Sequence, residues 1–280
     1  IREILRFNKF SVMLLNKDDE MSLGEYLDQE NYSDYFKKYY ILPMGSAIWS
    51  SNIKTMMQFP AKFFIQFFNN HGMLNINDRP QWLTISGGSI NYVEKITQPF
   101  RKKIKISQNI KYVDRKKDHI AIYFHDRTEK FDWIFFACHS DQALTLLHGI
   151  DQEAQNILAA IPYQKNRAIL HTDTNFLPMT KRCWAAWNYT AQSGTVPTSK
   201  QHVSVNYLIN RLQPLPKALQ DTQIIVSLNP SSEPNPKLVQ QEIQYSHPVF
   251  DMKAIQAQKA LPLIQGSSSI WYCGAWTGDR

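Results

Sequence analysis

The sequence predicts an α/β chain joined to an α+β half, and three observations carry that prediction. Residues 131–137 are nearly continuously apolar, the pattern of a strand buried on both faces as in a parallel sheet. That run leads directly into 140–147, which reads as a helix with Ser140 or Asp141 as its N-cap. Strand, tight turn and capped helix form the repeating unit of nucleotide-binding α/β folds. Residues 1–80 read as mostly helical. Four runs, 167–172, 184–189, 203–209 and 224–228, read as strands of an antiparallel sheet, with Pro214, Pro216, Pro230, Pro234 and Pro236 in its turns.

The elements follow in order along the chain. Leu5, Phe10, Val12, Leu15 and Met21 punctuate a first helix and loop. Ser22 with Glu25 three residues on is a capping box that opens a helix over 25–29. Ser33 and Asp34 begin the next helix, which Pro43 ends or kinks. Pro60 starts another, Phe63, Phe64, Phe67 and Phe68 recur along it at helical spacing, and Gly72 caps it. That phenylalanine stripe is read as core. After Pro80 come a short strand at 82–85, a turn at Gly87-Gly88-Ser89 and a helix over 90–96. Three β-rich runs follow, at 103–107, 110–113 and 119–125. A helix over 152–161 precedes the antiparallel strands, and 269–274 is a short strand meeting glycine.

Composition bounds the class. A chain of 280 residues suggests about two domains of ~100–200 residues. With 43% apolar, 20% charged and only 10 Gly and 14 Pro, it supports a sizeable core, which excludes disorder, collagen-like repeats and small disulfide scaffolds. The uncharged stretches 39–53, 183–199 and 260–278 are each broken by Gly, Ser or Thr and by Pro, so none reaches the ~18 apolar residues of a spanning helix. Cys138, Cys183 and Cys273 are few, odd and widely spaced, which fits a reducing cytoplasm and no metal site. The excess of 31 basic over 24 acidic residues gives +7. Its densest segments, 101–105 and 111–117, mix basic and apolar residues and read as solvated faces of a half-buried sheet in preference to a nucleic-acid site.

Several constellations invite a chemical reading. Cys138-His139-Ser140-Asp141 places a thiol, imidazole, hydroxyl and carboxylate in sequence. Adjacent side chains do not assemble a triad, so a strand end plus helix cap is preferred. His171, Asp173, His202 and Cys183 match no common metal-ligand spacing. There is no G-x-S-x-G, H-E-x-x-H or Walker A sequence, and no G-x-G-x-x-G. A later α/β region without its glycine fingerprint leads to the expectation of a chain cut from a longer protein, as do a first residue other than Met and an end at Gly278-Asp279-Arg280.

Nine segments, in order, carry a resemblance. They are Leu42-Pro-Met-Gly-Ser-Ala-Ile-Trp-Ser50, Phe68-Asn-Asn-His-Gly72, Arg79-Pro-Gln-Trp-Leu-Thr-Ile-Ser-Gly-Gly-Ser89 and Phe135-Phe-Ala-Cys-His-Ser-Asp-Gln-Ala-Leu144. Ile161 to Asp173, Trp184-Ala-Ala-Trp-Asn-Tyr189, Asn210-Arg-Leu-Gln213, His247-Pro-Val-Phe250 and Tyr272-Cys-Gly-Ala-Trp-Thr-Gly278 complete them. Together they resemble the bacterial FAD-dependent amine-oxidase-like proteins, a group similar to monoamine oxidase, protoporphyrinogen oxidase and phytoene desaturase.

The resemblance implies a partial FAD/NAD(P)-binding, Rossmann-like flavin amine oxidase fold with two interleaved domains. The substrate domain would take 1–80 and 151–264, and the FAD domain 81–150 and 265–280. FAD is the implied cofactor. By position in the motifs, Ile110 would offer its backbone to the adenine end and Ala137-Cys138 would lie near the ADP portion. Gly274 and Ala275 would approach the pyrophosphate and ribityl chain. The strand through Arg167 to Asp173 resembles one passing near the flavin, where many relatives carry a lysine and this chain has Ala168 or a neighbour. His171 is the polar candidate for catalysis there, weighed against a sheet histidine bonded locally. Trp49, Trp82, Trp184 and Trp187 are candidates for an aromatic cavity wall, weighed against service in the core.

The implied activity is hydride transfer from a hydrophobic amine or an unsaturated, lipid-like substrate to flavin. The alternatives are a flavin-dependent isomerase or desaturase of a lipid or terpenoid, and a non-catalytic remnant or basic binding module using 101–117. The expected partner is a hydrophobic small molecule, with no nucleic acid and no transmembrane segment. Peripheral membrane contact is compatible with this reading.

Overall fold

The computed structural model describes residues 1–17, 20–77, 79–190 and 204–278. The expected candidates His202, Val203, Asp279 and Arg280 lie outside the described residues.

The first part is helical: α1 (Arg2–Phe10), α2 (Leu23–Gln29), α3 (Asp34–Phe36), α4 (Leu42–Trp49), α5 (Ile53–Met57), α6 (Ala61–Asn70) and α7 (Ile90–Thr97). Next come β1 (Tyr112–Arg115), β2 (Ile120–Tyr123), β3 (Thr128–Phe131), β4 (Ile134–Phe136), α8 (Ser140–Leu146), β5 (Leu147–His148) and α9 (Gln152–Ala159). The remainder is β6 (Tyr163–His171), β7 (Trp187–Thr190), β8 (Ser204–Leu208), β9 (Ile225–Leu228), β10 (Val239–Pro248), α10 (Met252–Ala260) and β11 (Ile270–Tyr272). The chain divides into two interleaved units, one of 1–98 with 164–247 and one of 99–163 with 248–280.

In the first unit, local signals start and stop the helices. Ser22 Oγ accepts from the Glu25 amide while the Glu25 carboxylate accepts from the Ser22 amide, the reciprocal capping box. This starts α2 at Leu23, two residues before the expected start. Ser33 caps α3. Pro43 does not end that helix: the chain passes through a widened π turn over Lys37–Ile41 and stays helical to Trp49. The wider turn relieves the clash a proline ring makes with the carbonyl four residues earlier. Pro60 precedes α6, and Gly72, at φ +63°, follows its end. Phe64 and Phe68 are buried and stacked at 4.3 Å, so that half of the phenylalanine stripe is core, with Phe63 and Phe67 half-buried at its margin.

The same unit holds a five-stranded sheet in the order β10-β6-β9-β8-β7. The pairs β6·β9, β8·β9 and β7·β8 are antiparallel, as the four strand-like runs predict. The polar strand β10 lies at the sheet edge and carries no apolar alternation by which to read it from sequence.

In the second unit, β3-β2-β1-β5 forms one sheet and the parallel pair β11·β4 another. Their core joins Val113, Ile120, Phe136, Leu158, Ile270 and Trp276 with helices α8, α9 and α10.

Three expected strands differ. Residues 82–85 form no strand, since a short run without a neighbouring edge gains no ladder bonds. Residues 103–107 end a 3-10 turn and continue as irregular chain, because Ser107 (φ +55°) and Asn109 (φ +48°) turn the backbone out of the extended region. The 131–137 run breaks at Asp132 into β3 and β4 and is one-sided: Phe136 is buried, whereas Trp133 and Phe135 are 66% and 61% exposed. The N-cap of α8 is His139, one residue before the expected Ser140 or Asp141.

Candidate functional site

In the second unit, the parallel register pairs Ile134 with Ile270 and Phe136 with Tyr272, and the Cys273 amide bonds to the Phe136 carbonyl at 2.9 Å. Both chains therefore leave the sheet at their carboxyl ends together. This brings Ala137 and Cys138 beside Gly274 and Ala275, in the place where open α/β sheets bind their ligands. Trp276 folds back underneath, 2% exposed, and its indole N–H donates to the Cys138 carbonyl at 2.9 Å. Gly274 has φ +139°, and a Cβ there would stand 3.4 Å from the Trp276 ring and 3.7 Å from the Cys138 oxygen. Glycine permits that backbone to lie against Cys138. The small residues Ala137, Gly274 and Ala275 are exposed around it.

The neighbouring residues are committed to structure. The Tyr163 hydroxyl accepts from the Ser140 amide at 2.8 Å and donates to Ser140 Oγ at 3.3 Å, and its ring stacks on His139 at 4.3 Å. Burial raises the Cys138 thiol above its ordinary value, so it stays protonated at neutral pH. Cys138, His139, Ser140 and Asp141 thus serve a strand end and a helix cap. Ile110 stands apart from this group: it precedes β1, whose approach is held by the Lys111 amide bonded to the Tyr123 carbonyl. These residues fit a dinucleotide at the strand ends, with backbone approach through Gly274 and the exposed small side chains beside it.

In the first unit, register sorts the remaining candidates by face. Cross-strand partners share a face of the sheet. One row is His171–Ile225–Leu208, and the next is Ile169–Ser227–Asn206–Asn188. This face is closed, and its buried polar side chains bond to one another beside the equally buried Ile169, Ile225 and Leu208. His171 Nε2 lies 2.7 Å from Ser227 Oγ, Ser227 donates to Asn206 Oδ1 at 2.5 Å, and Asn206 Nδ2 donates to Thr190 Oγ1 at 2.6 Å. Because the single Ser227 proton goes to Asn206, His171 must donate from Nε2. Its Nδ1 accepts from the Asp173 amide at 3.1 Å. Both ring nitrogens are engaged within the fold, the arrangement of a locally bonded sheet histidine. Burial lowers the His171 pKa below its ordinary value, with Asp173 opposing.

The opposite face carries Ala168–Leu228–Val205–Tyr189 and then Leu170–Val226–Tyr207–Trp187. Helix α4 places Ala47 against Val205 and Tyr207. Trp187 meets Tyr207 edge-on at 5.3 Å and is 47% exposed. His171 and Trp187 consequently lie on opposite faces. Trp184 packs on Leu177, Leu208 and Ile225, the His171 side, with its N–H on the Pro178 carbonyl. Trp49 sits among Phe59, Phe64 and Phe67, in the helical core. Trp82 is 70% exposed beside His71. The four tryptophans do not form one wall. Tyr207, Val226 and Leu170 join Trp187 instead, and the period-two alternation in 204–208 is the sequence signal for them.

Among the described residues no cluster of three or more His, Cys, Asp or Glu could hold a metal ion, and no helix is long and apolar enough to cross a membrane.

This architecture is the flavin amine oxidase fold. It is similar to cyclohexylamine oxidase from Brevibacterium oxydans IH-35A, with a TM-score of 0.66 and 9% identity over 99% of this chain and 70% of that one. It is similar to putrescine oxidase bound to putrescine, with a TM-score of 0.63 and 9% identity over 99% of this chain and 69% of that one. A CLA-producing fatty acid isomerase from P. acnes gives a TM-score of 0.53 and 14% identity over 95% of this chain and 70% of that one. At these identities the likeness is one of fold. No protein-family model and no curated protein matches the chain.

Proposed function

We propose that the chain belongs to an FAD-dependent oxidoreductase of the amine-oxidase-like kind, acting on a hydrophobic amine or an unsaturated, lipid-like substrate. The observation that carries this reading is the convergence of Ala137-Cys138 and Gly274-Ala275 at the carboxyl ends of two parallel strands, within a flavin amine oxidase fold. When bound, FAD supplies the hydride-accepting ring. The chain's own residues would hold it: Gly274 by admitting close backbone approach, Ala137 and Ala275 by leaving room, and Trp276 by latching its loop to the Cys138 carbonyl. Hydride transfer to flavin demands no side-chain acid or base, and both ring nitrogens of His171 are bonded within the fold. The free, spaced cysteines support a reducing, cytoplasmic setting.

A flavin titration tests the cofactor reading. Flavin fluorescence should quench saturably on adding the purified chain, bound flavin should absorb near ~450 nm, and Gly274→Val should weaken both. The affinity is expected to be weak, because no G-x-G-x-x-G occurs in these 280 residues to cradle the pyrophosphate. Quenching that never saturates, or that Gly274→Val leaves unchanged, would refute the site. The fatty acid isomerase among the matched folds favours a second reading, flavin-dependent isomerisation. Product formed without hydrogen peroxide or acceptor reduction would select it over oxidation.

A further inference from the structure

Within the second unit, a cavity of about 180 Å³ lies beside the amino end of β11. It is several times the ~30 Å³ that one water takes in the liquid, and neither Gly274 nor Ala137 lines it. Its floor is Ala154, Ile264, Ile270 and Tyr272, all at most 5% exposed. Arg115 and Asp151, of opposite charge, stand at its walls. Arg115 Nε donates to the Ser268 carbonyl at 2.9 Å, which fixes the guanidinium and leaves both terminal nitrogens without a partner among the described residues. Ser268 presents that carbonyl from the left-handed region, at φ +56°, where side-chain-bearing residues are uncommon. The neighbouring Asp114 and Lys116 pair with each other, so they do not neutralise Arg115. Asp151 accepts from the Ala154 amide through Oδ1 at 2.7 Å, and its Oδ2 has no partner among the described residues. The Tyr272 ring packs against Phe136 and Trp276, yet its hydroxyl also bonds to none of the described residues.

We infer that this cavity is a binding site for a small zwitterion, one carboxylate and one ammonium group on a short aliphatic frame, separate from the flavin chemistry proposed above. Buried polar groups in native proteins find partners, so an unpartnered hydroxyl on a buried side chain marks a place for a ligand acceptor. Burial, joined by the Asp151 carboxylate, pushes the Tyr272 phenol up to about 12, so it remains a neutral donor. The free end of the Arg115 fork matches a carboxylate bidentately. A plain anion held there would face the Asp151 charge, and a dianion such as phosphate would face it more strongly. An ammonium group attached to the carboxylate removes that conflict by pairing with Asp151. The aliphatic frame would cover Ile264, Ile270 and Ala154 and take their surface from water.

The test is equilibrium dialysis of the purified chain against radiolabelled L-leucine, which should bind saturably at one site. 4-Methylpentanoate, which lacks the ammonium, and 3-methylbutylamine, which lacks the carboxylate, should each compete at least threefold less effectively than leucine, the scale of a solvent-facing ion contact. Arg115→Gln should weaken leucine about tenfold, as expected for losing a charge-assisted pair. Asp151→Asn keeps a good helix cap and removes the charge, so leucine and 4-methylpentanoate should then compete alike. Tyr272→Phe removes a hydroxyl that bonds nothing in the fold, and should weaken leucine several-fold while the circular dichroism spectrum stays that of the parent. Absence of saturable leucine binding would overturn the proposal. So would equal competition by leucine and 4-methylpentanoate in the parent chain, or leucine binding that Arg115→Gln and Tyr272→Phe leave unchanged.

Discussion

Replacing Ser227 by alanine isolates the buried polar ladder. The Ser227 hydroxyl is fully buried and serves two partners, accepting from His171 Nε2 at 2.7 Å and donating to Asn206 Oδ1 at 2.5 Å. Ser227→Ala removes one oxygen and strands one donor and one acceptor, both on residues with no exposed surface. Leaving a buried polar group unpaired costs about 1–3 kcal/mol, so two such groups set the expected loss at about 2–6 kcal/mol. At ~2–4 °C per kcal/mol for a chain near this size, the midpoint of thermal unfolding should fall by roughly 4–24 °C. The assay is a circular dichroism melt of Ser227→Ala beside the parent, with Tyr189→Phe as an exposed-site control expected to change little. A fall under about 2 °C would refute the ladder, because either the partners re-pair at no cost or the hydroxyl was not shared. Ser227→Cys, which keeps a weak donor and acceptor at the same place, should recover part of the loss.

Three further outcomes follow from the same physical reasoning. Burial lowers the His171 pKa from its ordinary 6.5, so below pH 6.5 the unfolded chain takes a proton that the folded chain refuses. This contribution is fully present above pH 6.5 and is lost as pH falls toward the lower folded pKa. The His171 ring should accordingly titrate below 6.5 by NMR, with the neutral Nε2–H tautomer as its unprotonated form, and titration at or above 6.5 would contradict it. A Cβ on Gly45 would stand 2.7 Å from the Phe64 ring and 2.9 Å from the Met56 methyl, both fully buried. Gly45→Ala should therefore cost about 1–3 kcal/mol by overpacking, read as a lower urea midpoint. Arg167 bonds Glu233 at 2.6 and 2.9 Å and Glu242 at 2.7 and 2.8 Å, and these bonds hold both carboxyls below their ordinary values. In Arg167→Met both should titrate higher by NMR, Glu233 further raised by the like charge of Glu242; unshifted titrations would show that the pairs do not persist in solution.

Much of the architecture is written locally. Ser22 with Glu25, Ser33, Asp151 and the Pro60–Gly72 frame mark helix ends through bonds spanning three or four residues, so neighbouring sequence alone specifies them. The antiparallel runs in 167–228 are legible for a similar reason: β-branched and aromatic residues alternate between turns. Which face each residue joins is a different matter. His171 lies in one predicted strand and Trp187 in another, and both look like members of one cavity until register is known. That register is set by β6, β9, β8 and β7 pairing across tens of residues, and it puts the two on opposite sides of the sheet. The run 82–85 fails for the complementary reason, having strand-forming residues and no edge to pair with, and 103–107 fails where Ser107 and Asn109 turn its backbone out of the extended region. Gly274 and Cys138 are 136 positions apart, and only the parallel pairing of β4 with β11 makes them neighbours. Sequence specifies a strand because its propensity is local; its partner, its face and the site at its end come from hydrogen bonds and packing between distant segments.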